Sequence, residues 1–171
     1  CPPAGGASAW TGLSIDPLDG TFWPSTATDL YTIDPVSGTS TLIGPFNAGG
    51  TMIDIAAGPD GMMAGHDIAS DSIYSIDKAT GSATLIGPTG YAAGYAQGMD
   101  FDNSDGTLYI FLYIGSGNNV YGTVDLMTGA VTPLASNTPQ GEFEGAIKVA
   151  ADVPWLSENP TSGTVAPGDC V

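Results

Sequence analysis

The chain has no arginine and only two lysines, Lys78 and Lys148, against 18 acidic residues, so its formal net charge is -16. That imbalance removes whole classes of partner. Nucleic-acid binding needs cations that displace phosphate counterions. An anionic membrane surface asks for the same charge. Without arginine there is no planar fork to grip a carboxylate or phosphate. Histidine is almost absent too: His66, in AGHDIASDS, stands alone. Asp67, Ser70 and Asp71 beside it raise the idea of a hydrolase triad. Adjacent residues of one strand point to alternate faces, however, and no G-x-S-x-G elbow occurs. His66 is therefore read as a loop or blade-edge residue. One histidine and two cysteines supply no known zinc spacing. With no catalytic cluster in view, the chain is expected not to be an enzyme. No apolar run approaches the ~18 residues of a transmembrane helix, so no membrane span is expected.

What is there is turn chemistry on a hydrophobic pattern. The 171 residues include 25 Gly and 13 Pro, yet 42% are hydrophobic, which suits a turn-rich β protein rather than a disordered chain. The sparse charge, 12% of residues, reads as a solvated acidic surface. One phrase occurs twice: LYTIDPVSGTSTLIGP from Leu30 to Pro45, and IYSIDKATGSATLIGP from Ile73 to Pro88. Each is an alternating strand, a turn from Asp34 to Gly38 or Asp77 to Gly81, and a second strand that Gly44-Pro45 or Gly87-Pro88 is expected to stop. A looser third copy, VYGTVDLMTGAVTPLA, runs from Val120 to Ala135 around Asp125 and Gly129. A second motif precedes each copy: GLSIDPLDGTFW, DIAAGPDGMMAG and GMDFDNSDGTLYIF, each an Asp-Gly hairpin between apolar strands.

Each unit thus holds two hairpins, or four strands, which is the content of one propeller blade. In TLYIFLYIG, Leu108, Ile110, Leu112 and Ile114 alternate with Tyr109, Phe111 and Tyr113, so both faces are apolar and both need cover. Packing between neighbouring blades meets that need. GAIKVA, Gly145 to Ala150, resembles the first strand of the other units. The expected fold is all-β: a small propeller of four blades, about 43 residues each, the last built from both chain ends. The organisation expected is an N-terminal arm over 1–11, blades over 12–150, and a tail over 151–171 that completes the last blade or contacts a neighbouring subunit. An open three-blade stack or a fragment of a larger ring is the alternative.

On these residues the units resemble the YVTN/PQQ-like β-propeller repeats of secreted proteins. The resemblance implies fold and an extracellular or cell-surface location more than an activity. The ring of charged and aromatic groups used by cofactor-binding members has no match here, so no cofactor is expected. PWLSENPTSGTVAPG, Pro154 to Gly168, is similar to the opening of immunoglobulin-like modules, although no sandwich follows it.

Two sites remain to be weighed. DFDNSDG places Asp100, Asp102 and Asp105 close together, as oxygen ligands of calcium would be. Ser104 stands where a further alternate acid belongs and no closing glutamate follows, so a plain turn is the stronger reading. Tyr91 and Tyr95 lie in the Gly-rich stretch GPTGYAAGYAQG, where exposure suits binding or subunit contact. Cys1 and Cys170 are the only cysteines. They suit a disulfide within a ring, a head-to-tail bond between subunits, or a lipidated Cys1. A first residue that is not Met is read as removal of a leader. The function expected is a non-enzymatic secreted structural subunit of a filament or surface layer, with copies of itself as partners. The alternative is a module that binds a glycan or a surface protein.

Overall fold

In the computed structural model, residues 9–95, 97–136 and 145–147 are described. They contain twelve β-strands and no helix. The first sheet is a meander of β1 (Gly12–Ile15), β2 (Phe22–Ser25), β3 (Asp29–Ile33) and β4 (Ser40–Pro45). The second runs through β5 (Met52–Ala57), β6 (Met63–Asp67), β7 (Ser72–Ile76) and β8 (Ala83–Pro88). The third runs through β9 (Gly98–Phe101), β10 (Leu108–Gly115), β11 (Asn118–Val124) and β12 (Val131–Ser136). All neighbouring strands are antiparallel, so each repeat unit of the sequence is one four-stranded blade.

The repeated turns explain themselves. In each blade an aspartate at the end of the third strand (Asp34, Asp77, Asp125) accepts the N–H two residues on, at 2.8 Å in all three. Its other oxygen takes the hydroxyl of Ser37, Thr80 or Thr128. These bonds, the backbone N–H foremost, hold the three carboxyls below the usual carboxylate range.

The blades stack through two apolar clusters. Trp23, Leu30 and Phe46 of the first blade meet Met52, Ile55, Ala57, Met63 and Ile76 of the second. Ala56, Ala64 and Ile73 of the second meet Phe101, Leu108, Ile110, Leu112 and Val120 of the third. The alternation of β10 is resolved as its sequence demands: Leu108, Ile110 and Leu112 are buried, while Tyr109, Phe111 and Tyr113 are half-buried on the opposite face.

One expectation is met and one needs correction. Gly44-Pro45 and Gly87-Pro88 are the last two residues of β4 and β8, so the strands stop where the sequence puts the stop. Pro is tolerated because these are the outermost strands. Gly44 is there for the neighbour: a Cβ on it would sit 2.2 Å from the Thr80 carbonyl oxygen in the turn of the next blade, and one on Gly87 would sit 2.1 Å from that of Thr128. His66, by contrast, is no loop residue. It lies in β6, level with Asp54 and Ile73 on the adjoining strands, and is fully buried. The structure describes three blades; a fourth, a closed ring and the immunoglobulin-like stretch lie outside the described residues.

Candidate functional site

The innermost strands β1, β5 and β9 stand side by side and are tied by side chains. Ala57 N–H donates to Ser14 Oγ at 2.9 Å, joining the first blade to the second. Met99 N–H donates to Asp54 Oδ2 at 2.7 Å, joining the second to the third. The same device continues beyond the third blade: Ile147 N–H donates to Asp100 Oδ2 at 2.9 Å. The segment Gly145–Ile147, which is not itself in a strand, is thereby held beside β9. Burial raises the Asp100 pKa, opposed by the N–H groups of Ile147 and Phe101.

Between β1 and this last segment lies a cavity of about 620 Å³, within the size range of ligand sites. One side is apolar, with Trp10, Leu13 and Ile15. Trp10 is set edge-on to Tyr31, ring centroids 5.2 Å apart. Leu13 and Ile15 are 58% and 40% exposed, whereas Ile55, which follows Asp54 as Ile15 follows Ser14, is 1% exposed. The other side carries Asp54, Asp100 and Asn103, whose Oδ1 is buried with no hydrogen-bond partner among the described residues. Gln97 also lines it, but its amide is committed, donating to the carbonyls of Gly94 and Tyr95 and accepting from Tyr113 N–H. Among the described residues no lysine lines the cavity, and acceptors prominent on this side are Asp54, Asp100 and Asn103.

The residues singled out from sequence are scattered around this cavity. Asp100 belongs to it as a tie between strands. Asp102 spends one oxygen on the hydroxyl and N–H of Ser104, which lower its pKa, and Asp105 accepts from Thr107 N–H. Among the described residues no three metal-ligating side chains form a cluster. Tyr91 is half-buried and packs on the second apolar cluster, whereas Tyr95 is 73% exposed, with φ 65°. Of the two, Tyr95 is the more exposed, and its carbonyl accepts from the Gln97 side chain that lines the cavity. Cys1 and Cys170 lie outside the described residues. Asp54 was missed because its role exists only between blades. The signal was present in Leu13-Ser14-Ile15, Ile53-Asp54-Ile55 and Met99-Asp100-Phe101, a polar residue between two apolar ones in each inner strand.

No family model matches the chain, and no curated protein matches it by sequence. Solved structures do. A chain of a nidogen/laminin complex aligns with TM-score 0.63 and 19% identity, covering 78% of this chain and 51% of that one. Virginiamycin B lyase from Staphylococcus aureus, crystallised with quinupristin, gives 0.55 and 21%, covering 75% and 42%. Regucalcin from Agrobacterium tumefaciens, a calcium-binding protein, gives 0.53 and 22%, covering 75% and 43%. The chain thus spans about half, or less, of the length of the chains it matches. Identities this low show the fold alone. The fold they share with this chain is that of β-propeller blades. The likeness also overturns the expectation that the chain is not an enzyme. Virginiamycin B lyase carries its activity on this architecture. The missing triad and elbow exclude one chemistry and leave other catalysis open.

Proposed function

We propose that the chain is an extracellular propeller module that binds a glycan or an extended peptide in the cavity between its first inner strand and Gly145–Ile147. The observation that carries this reading is the make-up of the cavity. An apolar wall of Trp10, Leu13 and Ile15 faces Asn103, whose Oδ1 has no partner among the described residues, and the carboxylates of Asp54 and Asp100, which also hold backbone N–H groups. A sugar ring, or the N–H edge of a peptide, offers both an apolar face and donors, and so complements both walls. The ring of four blades expected from the sequence belongs to this reading, with the fourth completed by residues outside the described ones. Monodisperse protein on glycan and peptide arrays tests it, alongside Leu13→Asp and Ile15→Asp, which change exposed side chains and should fold normally. Binding by the wild type that both variants lose supports the reading. No binding, or binding indifferent to both changes, removes it.

A second reading, a subunit of an extracellular assembly, is favoured by apolar side chains at the turn tips: Val36 is 94% exposed and Met127 89%. Cys1 and Cys170 would then link copies head to tail. A non-reducing gel decides between a ladder that reductant collapses and a monomer band.

A further inference from the structure

The two joints between described blades are built alike. In each, the outer-strand glycine receives the turn of the next blade, and the contact is reciprocal. A Cβ on Gly81 would lie 2.4 Å from the Gly44 oxygen, and one on Gly129 2.2 Å from the Gly87 oxygen. A backbone bond completes the outer half: Ala83 N–H to Phe46 O at 2.8 Å, and Val131 N–H to Thr89 O at 3.0 Å. The side-chain ties from Ser14 and Asp54 form the inner half.

After the third blade the inner half is kept, while the described residues of the outer half differ from those of the other two joints. Asp100 holds Ile147 N–H as Asp54 holds Met99 N–H. In the outer strand, however, Ala135 stands opposite Tyr121 where Gly44 stands opposite Leu30 and Gly87 opposite Ile73. Its methyl occupies the space a neighbouring turn would need. The residue before it changes as well. Leu134 is 57% exposed, while its counterparts Ile43 and Ile86 pack against the interblade clusters. On the same face Tyr121 stacks on Tyr109, centroids 5.8 Å apart, and on Phe111 at 4.7 Å. Gly145 lies so close to Phe111 that a Cβ would be 2.0 Å from its ring.

The occupant of this face must begin as an inner strand and carry no Asp-x-x-x-Gly turn. The first blade fails the second condition, whether it belongs to this chain or to another copy, because its turn Asp34–Gly38 precedes β4 as the other two precede β8 and β12. Residues 148–171 suit both conditions by their place in the chain and their sequence. They continue directly from Ile147, their sequence contains no Asp-x-x-x-Gly, and they bring one aromatic, Trp155, to a face made of aromatics. We infer that residues 148–171 of the same chain cover the outer half of the third blade, on Tyr109, Tyr121, Leu134 and Ala135, so that the stack ends in a cap unlike its internal joints.

Photo-crosslinking of the full chain tests this. p-Benzoylphenylalanine is placed at Tyr121 in one variant and at exposed Leu134 in another. Equal parts of ¹⁴N and ¹⁵N protein are irradiated, and the linked peptides identified by mass spectrometry. The inference predicts links from both positions to peptides within 148–171, with both halves carrying the same isotope. Links to 29–45, links of mixed isotope, or no link from either position would overturn it. The array experiment above can fail without touching this result, because Tyr121 and Leu134 do not line the cavity. Ala135→Gly gives an independent check: its melting temperature should stay within about 2 °C of the wild type, and a rise of several degrees would mean that a turn docks there after all.

Discussion

Acidification should weaken the joint between the second and third blades through one residue. His66 is fully buried, and neither ring nitrogen has a hydrogen-bond partner among the described residues. Asp67 and Asp71 lie near enough to favour its charged form, but neither hydrogen-bonds to the ring. Asp67 accepts from Thr51 N–H, Ala69 N–H and the Ser70 hydroxyl, and Asp71 from Ala93 N–H. Burial dominates and lowers the His66 pKa to about 4, against about 6.5 in an unfolded chain. The folded state thus binds fewer protons than the unfolded state between these values. Stability from neutral His66 is full above pH 6.5, falls as the pH drops, and is gone near pH 4. The gap is worth about 3 kcal/mol, or a fall in the urea midpoint of about 1–2 M. Carboxylates titrate over part of the same window, so the assay compares urea unfolding of the wild type and His66→Leu from pH 7.5 to 4.5. The wild type should lose about 2–3 kcal/mol more than the variant across that range. At pH 7.5 the variant should be no less stable, because it removes two unsatisfied buried nitrogens. Parallel curves would refute the reasoning.

Gly87→Ala should destabilise by about 2–4 kcal/mol, since its Cβ meets backbone rather than a yielding side chain. Gly94→Ala, with open space around it, should change stability by less than about 0.5 kcal/mol; equal effects in thermal melts would undo the account of the joints. Lys78 reaches from the second blade to Asp16 of the first at 2.6 Å, and Asp16 is only 2% exposed. Lys78→Met should therefore cost about 2–4 kcal/mol by leaving a buried carboxylate without its cation, and adding Asp16→Asn should recover part of that loss in denaturant unfolding. EDTA should leave the melting temperature unchanged, because Asp102 and Asp105 are spent on their own turn; a calcium-dependent rise of several degrees would make Asp100, Asp102 and Asp105 ligands.

The repeat was legible because it is local. Asp-x-x-x-Gly turns and alternating strands act over a few residues, and β10 declared both of its faces. The joints were not legible, because they connect residues about 40 apart whose partners belong to the next repeat. Gly-Pro was read rightly as the end of β4 and β8, but why the residue before the proline is Gly44 or Gly87 was not legible: a carbonyl arrives there from another blade. Asp54 and Asp100 looked like surface or turn acids, because nothing in a single strand shows that a carboxylate will take the N–H of the strand beside it. His66 was misread for a related reason. A lone histidine between Gly65 and Asp67 looks polar and exposed, but β6 is the one strand buried at every position.

The central claim is that the inner strands are tied in series by Ser14, Asp54 and Asp100, with Gly145–Ile147 as the next member, so that the cavity has a wall on each side. Amide hydrogen exchange at three residues measures this most directly, one for each tie: Ala57, Met99 and Ile147. The account predicts that all three exchange slowly, with Ile147 protected to within about tenfold of Met99. Slow exchange at Ala57 and Met99 together with exchange at Ile147 as fast as in an unfolded peptide would contradict it.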